Sequence, residues 1–449
     1  MAENVIVESD AIEKKQINGQ NLMEKIVALC KRRGFVFQNS EIYGGLNGVW
    51  DLGPLGVLLA NNVKNEWWKS MVLSRDDVVG LDSAILAHPK VWEASGHVKS
   101  FRDPLIECKV CHERFRADNK KEIEEHAKKH DKTTWTDVKK FNLMFKTYVG
   151  PLDNEENKTY LRPETAQGIF VNFENVLSTM RVKIPFGIAQ IGKGFRNEIT
   201  TGNFLFRVRE FEMMELEFFV EPGTDKKWFD YWRQERLKWY LDLGINRENI
   251  KLVDLPKEDI AHYSKGTSEI WYNWPFMGFG ELEGIANRGD YDLVQQSRYS
   301  RKDLSYFDEE KNKRFVPYVI EPSVGIGRAI VAFLLDSYVE EEKRVVLKLH
   351  PRLAPIKAAV FPLLANKPEL AKLAKKIYDN LKSESGSIAF DDRGNIGKRY
   401  FYQDEIGTPY CITVDFQSLE DQTVTVRDRD TMKQDRVKID KISSFIRQE

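Results

Sequence analysis

The chain has 449 residues, 42% of them apolar, enough for two or three domains with full cores. A net charge of −1 excludes a blanket basic surface, so any nucleic-acid partner must meet basic residues gathered in patches. Four cysteines in a chain of this size exclude a disulfide scaffold and point to a reducing, cytoplasmic setting, and no apolar run approaches the roughly 18 residues a membrane span needs.

In chain order, residues 1–20 are polar and charged and lack an apolar core segment, so they read as a tail and not as a signal peptide. A first large unit is expected over 21–344. From Gly53 to about Val72, Leu55, Leu58, Leu59, Val63 and Trp67 recur at helical spacing, followed by an extended stretch ending at Pro89. Residues 101–150 are unusually charged and read as an insert within that unit. The insert contains Cys108, Cys111, His126 and His130, a Cys-x2-Cys-x14-His-x3-His spacing within the range of tetrahedral zinc sites. A helix over Lys120–Lys129 sets the two histidines four apart on one face, and Phe115 and Ile123 supply the apolar placements of a small finger. A structural Zn²⁺ is the expected occupant.

Further on, Phe186–Gly192 reads as a strand, followed by Phe195-Arg-Asn-Glu198, a loop, and a second strand from Arg207 through Phe219. A period of two puts Arg207, Arg209, Phe211, Met213 and Glu215 on one face. Two arginines, an aromatic and a carboxylate suit a ligand with a phosphate, a flat ring and an ammonium group. The plain alternative is a surface hairpin with paired charges. Thr224–Leu243 is a Trp- and Tyr-rich core helix. Phe315–Glu321 is a strand, followed by a turn holding Gly325 and Gly327 and a helix through Tyr338, with Arg328 in its first turn. Charged residues Glu340–Lys343 break the pattern, and a second unit spans 345–449. Its strands (Ile356–Phe361, Tyr410–Val414, Gln422–Val426) and helices (Pro368–Leu381, Asp440–Arg447) predict a small mixed sheet flanked by helices. Lys398 and Arg399, and Arg427 and Arg429, are its candidates for nucleic-acid contact, with solvated charge as the plainer reading.

The run Phe195–Glu198, with Arg207 and Phe211 at their spacing, and Gly325-Ile-Gly327-Arg328 resemble motifs two and three of class II aminoacyl-tRNA synthetases; Ser323 stands where a glycine is often found. Tyr160–Phe170, Gly284–Arg288, Cys30–Phe35 and Glu41–Leu46 are similar to the homodimeric glycyl-tRNA synthetases, from about Leu22 to the C-terminus. This resemblance implies an α+β fold: a class II catalytic domain of antiparallel sheet flanked by helices, a C-terminal mixed α/β anticodon-binding domain, and the small insert. It implies that Gly53–Pro89 builds the interface of a homodimer, and that the chain activates glycine with ATP and Mg²⁺ and charges tRNA(Gly) in the cytoplasm, with no membrane partner.

The resemblance also implies residue roles. Arg196, Arg207 and Arg328 carry the chemistry. The ATP site adds Asn197, Glu198, Phe206 and Phe211, then Glu281, Leu282, Gly325, Ile326 and Gly327. Phe211 stacks on adenine with Arg328 on its other face, and Glu198 or Glu321 shares the Mg²⁺. Glycine meets Glu164, Glu215, Glu321 and Ser323, with Arg114, Phe211, Glu212 and Gly325 around them. Two other classes stand against this reading. An accessory subunit on the same fold is expected to lose Arg196, Glu215 or Arg328, and this chain has all three. A nucleic-acid-binding metal finger is suggested by the insert alone.

Overall fold

The computed structural model describes residues 21–130, 132–260, 264–385 and 387–446. The readings made for 1–20 and for Arg447 lie outside them.

Seven strands build the central sheet: β1 (Val78–Gly80), β2 (Phe186–Phe195), β3 (Glu210–Val220), β4 (Ile250–Asp254), β5 (Gly266–Trp274), β6 (Gly278–Gly289) and β7 (Tyr318–Gly325). Their order is β4-β5-β6-β7-β3-β2-β1. Every pairing is antiparallel except that of the edge strand β1 with β2. Three helices cover one face: α1 (Pro54–Trp68), α2 (Asp225–Asp242) and α3 (Ile326–Ser337). Proline at its first position starts α1 after extended Gly53, and a π-helical turn, Lys69–Leu73, carries the expected Gly53–Val72 helix to its end.

Alternation along β3 decides what the sheet does. Met214, Leu216, Phe218 and Val220 enter the core beneath the helices, with Trp232 and Tyr240 of α2 and much of α3. Phe211, Met213, Glu215 and Glu217 take the other face. That face ends in Phe219, packed 4.6 Å from Phe173 and 5.3 Å from Phe186. Register then puts Glu215 opposite Ser323, and Ser323 opposite Gly284, so three strands present one row of polar groups. Behind that row a buried ion pair clamps β6 to α2: Arg236 grips Glu283 at 2.6 and 3.2 Å, and the Tyr240 hydroxyl donates to the same carboxylate at 2.7 Å.

Between β1 and β2 a three-stranded sheet (Arg114–Arg116, Arg102–Glu107, Lys139–Asn142) carries the helix Lys120–Ala127, two residues shorter than expected. The C-terminal sheet runs Ile388–Phe390, Ala358–Pro362, Tyr410–Val414, Thr423–Asp428, Gln434–Lys438, parallel in its first three strands and antiparallel after. It is mixed, as the sequence predicts, with helices Pro368–Ser385 and Ile396–Ile406 against it.

Three of the four cations read there as nucleic-acid contacts are structural. Arg427 grips Asp404 through two hydrogen bonds, Arg429 donates to the carbonyls of Leu349 and Gly407, and Arg399 donates to four carbonyls. Lys398 is exposed. A buried guanidinium needs all its donors met, which these backbone oxygens supply.

Candidate active site

The open face of β3, β6 and β7 floors a cleft of about 500 Å³. Its walls come from the loop after β2, from α3's first turn, and from Phe101, Asp103 and Arg116 of the insert. Of the expected residues, Glu164, Arg196, Glu198, Phe206, Arg207, Phe211, Glu215, Glu281, Leu282, Glu321, Ser323, Gly325, Gly327 and Arg328 line it.

One end is cationic. The Arg196 Nε donates to the Pro163 carbonyl at 3.1 Å, and its guanidinium lies 5.4 Å from both the Phe101 and Phe211 rings. Phe211 reaches this position because the residue across the strand is Gly194, where an added Cβ would fall 2.7 Å from its ring. Among the described residues no carboxylate forms an ion pair with Arg196 or Arg207. Arg328 stands 4.6 Å over the Phe206 ring and pairs with Glu281 at 2.8 Å. Gly327 permits this: a Cβ there would stand 2.9 Å from the Leu205 carbonyl oxygen. Unpaired guanidiniums facing a cleft call for an anion.

The other end is acidic and buried. Glu215 accepts from the Thr165 backbone N–H at 2.6 Å, from the Thr165 hydroxyl, and from Ser323 Oγ at 2.8 Å. Glu164 meets His97 Nε2 and Gln167 Nε2, each at 3.2 Å. Arg288 donates to both oxygens of Glu321, at 3.0 and 2.9 Å, and to both of Asp292. Glu217, fully buried behind them, has no hydrogen-bond partner at either oxygen.

Burial pushes the Glu321 carboxyl up to about 8 even with Arg288 against it, and pushes Glu217 well above the usual carboxylate range. Burial and the neighbouring Glu164 raise Glu215. Burial acts on Glu164 too, but His97, Arg288 and Arg196 outweigh it and hold that carboxyl well below its ordinary value. Such a cluster is short of positive charge until a cation enters it.

Six expectations need correction. Glu212 lies on the helix-covered side of β3, paired with Lys64 at 3.1 Å, because it is out of step with Phe211 and Glu215. Arg114 pairs with Glu107 on the insert's surface; two residues on, Arg116 reaches the cleft. Arg209 precedes the strand and binds the carbonyls of Asn47 and Glu198. Ile326 is buried in the core, and Asn197 is outside the cleft lining, its backbone N–H held by the Leu143 carbonyl. Glu321, held by Arg288, belongs to the acidic end and not to the arginine end; Glu281 is the acid paired with Arg328, and Glu269 lines the cleft within reach of its charge.

Sequence reasoning missed Arg116, Asp103, Phe101 and Arg288. The Arg-Phe-Arg repeat carried the signal for the first, since residues two apart share a face.

In the insert, the ligand atoms of Cys108, Cys111, His126 and His130 lie within 4.8 Å of one another. Cys111 Sγ is 3.4 Å from His126 Nε2, and His130 Nε2 is buried with no partner. His130 lies past the end of its helix, yet its ring still converges on the cluster.

Residues 145–338 match the tRNA synthetase class II core domain (G, H, P, S and T), and residues 357–449 match the anticodon binding domain family. Glycine–tRNA ligases of Cutibacterium acnes and Thermobifida fusca are each 54% identical to the chain, over 94% of it and over 95% and 97% of their own lengths. That of Streptomyces coelicolor is 53% identical over 94% of this chain and 97% of its own. Among solved structures, Giardia lamblia prolyl-tRNA synthetase in complex with prolyl-adenylate superposes with a TM-score of 0.68. It is 17% identical, covering 95% of this chain and 75% of that one, so it bears on the fold alone. With a class II core, an anticodon-binding unit and relatives matched almost end to end, the chain belongs to the glycine–tRNA ligase family of class II aminoacyl-tRNA synthetases.

Proposed function

We propose that the cleft joins glycine to ATP, giving glycyl-adenylate and pyrophosphate, and then passes the glycyl group to the 3′-terminal adenosine of tRNA(Gly). The observation that carries this is one cleft with an acidic, buried end and an end where, among the described residues, Arg196 and Arg207 have no carboxylate partner. No protein nucleophile is required. A carboxylate oxygen of glycine attacks the α-phosphorus, the bond to the bridging oxygen breaks, and pyrophosphate leaves with that electron pair. In the second step the ribose hydroxyl attacks the glycyl carbonyl, its proton is lost, and AMP leaves. Catalysis is therefore positioning plus neutralisation of charge spreading over phosphate oxygens.

Arg196 holds the α-phosphate and the attacking carboxylate; Arg207 and Arg328 hold the rest of the triphosphate. Adenine lies between the Phe211 ring and the Arg328 guanidinium. Glu164, Glu215, Glu321 and Ser323 grip the ammonium group. Glu281 and Glu269 offer hard oxygen donors beside Arg328 and suit Mg²⁺, which when bound supplies further neutralisation of the phosphates. Glycine-dependent ATP–pyrophosphate exchange, run beside alanine and serine, is expected with glycine alone. Exchange with none of the three, from folded protein with Mg²⁺ present, overturns the reading.

The Cys108, Cys111, His126 and His130 cluster holds a structural zinc. Two thiolates and two imidazoles would supply the four donors that a structural zinc takes, and His130 Nε2, buried and without a protein partner, suits that role. The purified protein is expected to contain about one equivalent of zinc per chain by mass spectrometry of its metals; less than a tenth of an equivalent, roughly the background of that method, rejects it.

The chain acts as a homodimer. The run Glu41–Leu46 leaves Ile42 87% and Tyr43 86% exposed, a patch that a second copy would cover. Light scattering is expected to give twice the 52.2 kDa chain mass; the mass of a monomer at micromolar concentration overturns it.

A further inference from the structure

The insert closes the cysteine–histidine cluster and walls the cleft with the same hairpin. Strands Arg102–Glu107 and Arg114–Arg116 pair with Leu105 opposite Arg116, Ile106 opposite Phe115 and Glu107 opposite Arg114. Cys108 follows the first strand directly, and Cys111 stands just before the second, so both thiols lie in the hairpin's turn. Alternation then sends successive side chains of the second strand to opposite sides. The Phe115 ring packs 4.6 Å from His126 and 5.6 Å from Trp135, on the cluster's side. Arg116 takes the other side, where its guanidinium donates to Asp103 at 2.9 Å and to Asp118 at 3.0 and 2.7 Å. Arg116, Asp103 and Phe101 all face the cleft, and the Phe101 ring lies beneath Arg196.

Little else holds this hairpin in place. Among the described residues between 102 and 142 only Asp103, Ile106, Cys108 and His126 are buried, and two of these four belong to the cluster. A segment of about 40 residues with so small an apolar core needs a staple to hold one shape. The loop between Cys111 and His126 contains Arg116, so closing the cluster also fixes the strand on which the arginine sits.

We propose that the metal cluster is a positioning device for the cleft: it fixes the hairpin whose paired Arg116 and Asp103 wall the cleft beside Phe101, so metal occupancy sets substrate affinity. This rests on the zinc reading above. The mechanism is geometric. Without metal the turn opens, Phe115 loses its packing against His126, and Arg116 no longer faces the cleft. The active-site strands themselves are untouched, because β2, β3, β6 and β7 take no residue from the insert.

The test compares Cys111→Ser, Arg116→Ala, the double variant and His130→Cys, the last keeping four donors. For each, zinc content, KM and kcat for glycine and for ATP, and amide hydrogen exchange over 102–142 are measured. Cys111→Ser is expected to lose zinc, to exchange faster within 102–142 alone, and to raise the KM of one substrate by on the order of tenfold to a hundredfold. Arg116→Ala is expected to match that rise with zinc retained, and the double variant to add nothing to it. His130→Cys is expected to keep both zinc and KM. A metal-free Cys111→Ser with unchanged KM values, or additive effects in the double variant, overturns the coupling alone. A wild-type chain that binds no zinc overturns the metal reading and the coupling with it.

Discussion

Replacing Arg196 by alanine is expected to slow glycine-dependent ATP–pyrophosphate exchange by about 100- to 1,000-fold, the ~2.7–4 kcal/mol lost with one preplaced donor to a developing oxyanion. Among the described residues the side chain makes one hydrogen bond, to the Pro163 carbonyl, and no ion pair, and its guanidinium lies 5.4 Å from both the Phe101 and Phe211 rings. Its removal breaks no ion pair, and His97 and Arg288 still offset the buried Glu164, so the fold is expected to stand. The loss should fall mainly on kcat. The α-phosphate gains negative charge on its oxygens as the bond to pyrophosphate breaks, so the guanidinium contributes more in the transition state than in the ground state. Lysine is not expected to restore activity, because a point charge cannot span phosphate and carboxylate as a planar fork does. Steady-state exchange kinetics, with circular dichroism as the check on folding, decide it. A loss under tenfold, or one confined to KM for ATP, would remove Arg196 from the reacting centre.

The central hairpin was legible because its chemistry and its period coincide. Phe211, Met213 and Glu215 alternate with core residues Met214, Leu216 and Phe218, and a strand is the conformation that separates the two sets. Arg207 and Arg209 obey the same spacing on paper but precede the strand. Gly202 pairs with Arg207 in an isolated bridge, which breaks the alternation, and Arg209 turns to backbone carbonyls instead. Period alone therefore placed one arginine correctly and one wrongly.

The acidic end was legible as a set of residue types and illegible as a circuit. Glu164, Glu215 and Glu321 come from three distant segments, and only the register of β3 with β7 sets Glu215 against Ser323. Arg288, which holds Glu321 and Asp292 together, was noticed as part of a family run and not as a counter-ion, since nothing local says which carboxylates a guanidinium will meet. The C-terminal cations show the reverse error. Arg399, Arg427 and Arg429 stand beside glycines or on a strand, as binding residues do, yet tertiary packing turns them inward to Asp404 and to carbonyls. The cysteine–histidine spacing was legible because two ligand pairs at short separation constrain geometry by themselves.

Glycine affinity is expected to rise with pH up to about 8 and then level off. The groups facing Glu321 are Arg288, which donates to both its oxygens, and the carboxyls of Glu164, Glu215 and Glu217. Asp292 shares Arg288, and His97 sits against Glu164. One guanidinium divided between two carboxylates only partly offsets burial, which pushes the Glu321 carboxyl up to about 8. An arriving ammonium favours the ionised form. Binding must then release a proton, and the apparent affinity carries the cost of removing it. The sign follows: a carboxyl raised in the empty site and lowered by its ligand makes KM for glycine fall as pH rises towards the raised value, by up to about tenfold per pH unit, or ~1.4 kcal/mol each. Between pH ~6 and ~8 the fall is on the order of 50- to 100-fold, with KM for ATP much flatter, since the triphosphate meets guanidiniums at the other end of the cleft and not this carboxyl. Glu321→Gln separates this from any general effect. It is expected to flatten the profile, because the proton is gone from the exchange, and to raise KM most above pH ~8, where the ionised carboxylate otherwise grips the ammonium. Steady-state kinetics across this range in a constant-ionic-strength buffer give the profile. A KM for glycine that is flat in the wild-type chain, or that keeps the same slope in Glu321→Gln, means that another group carries the proton or that the ammonium lies elsewhere in the cleft.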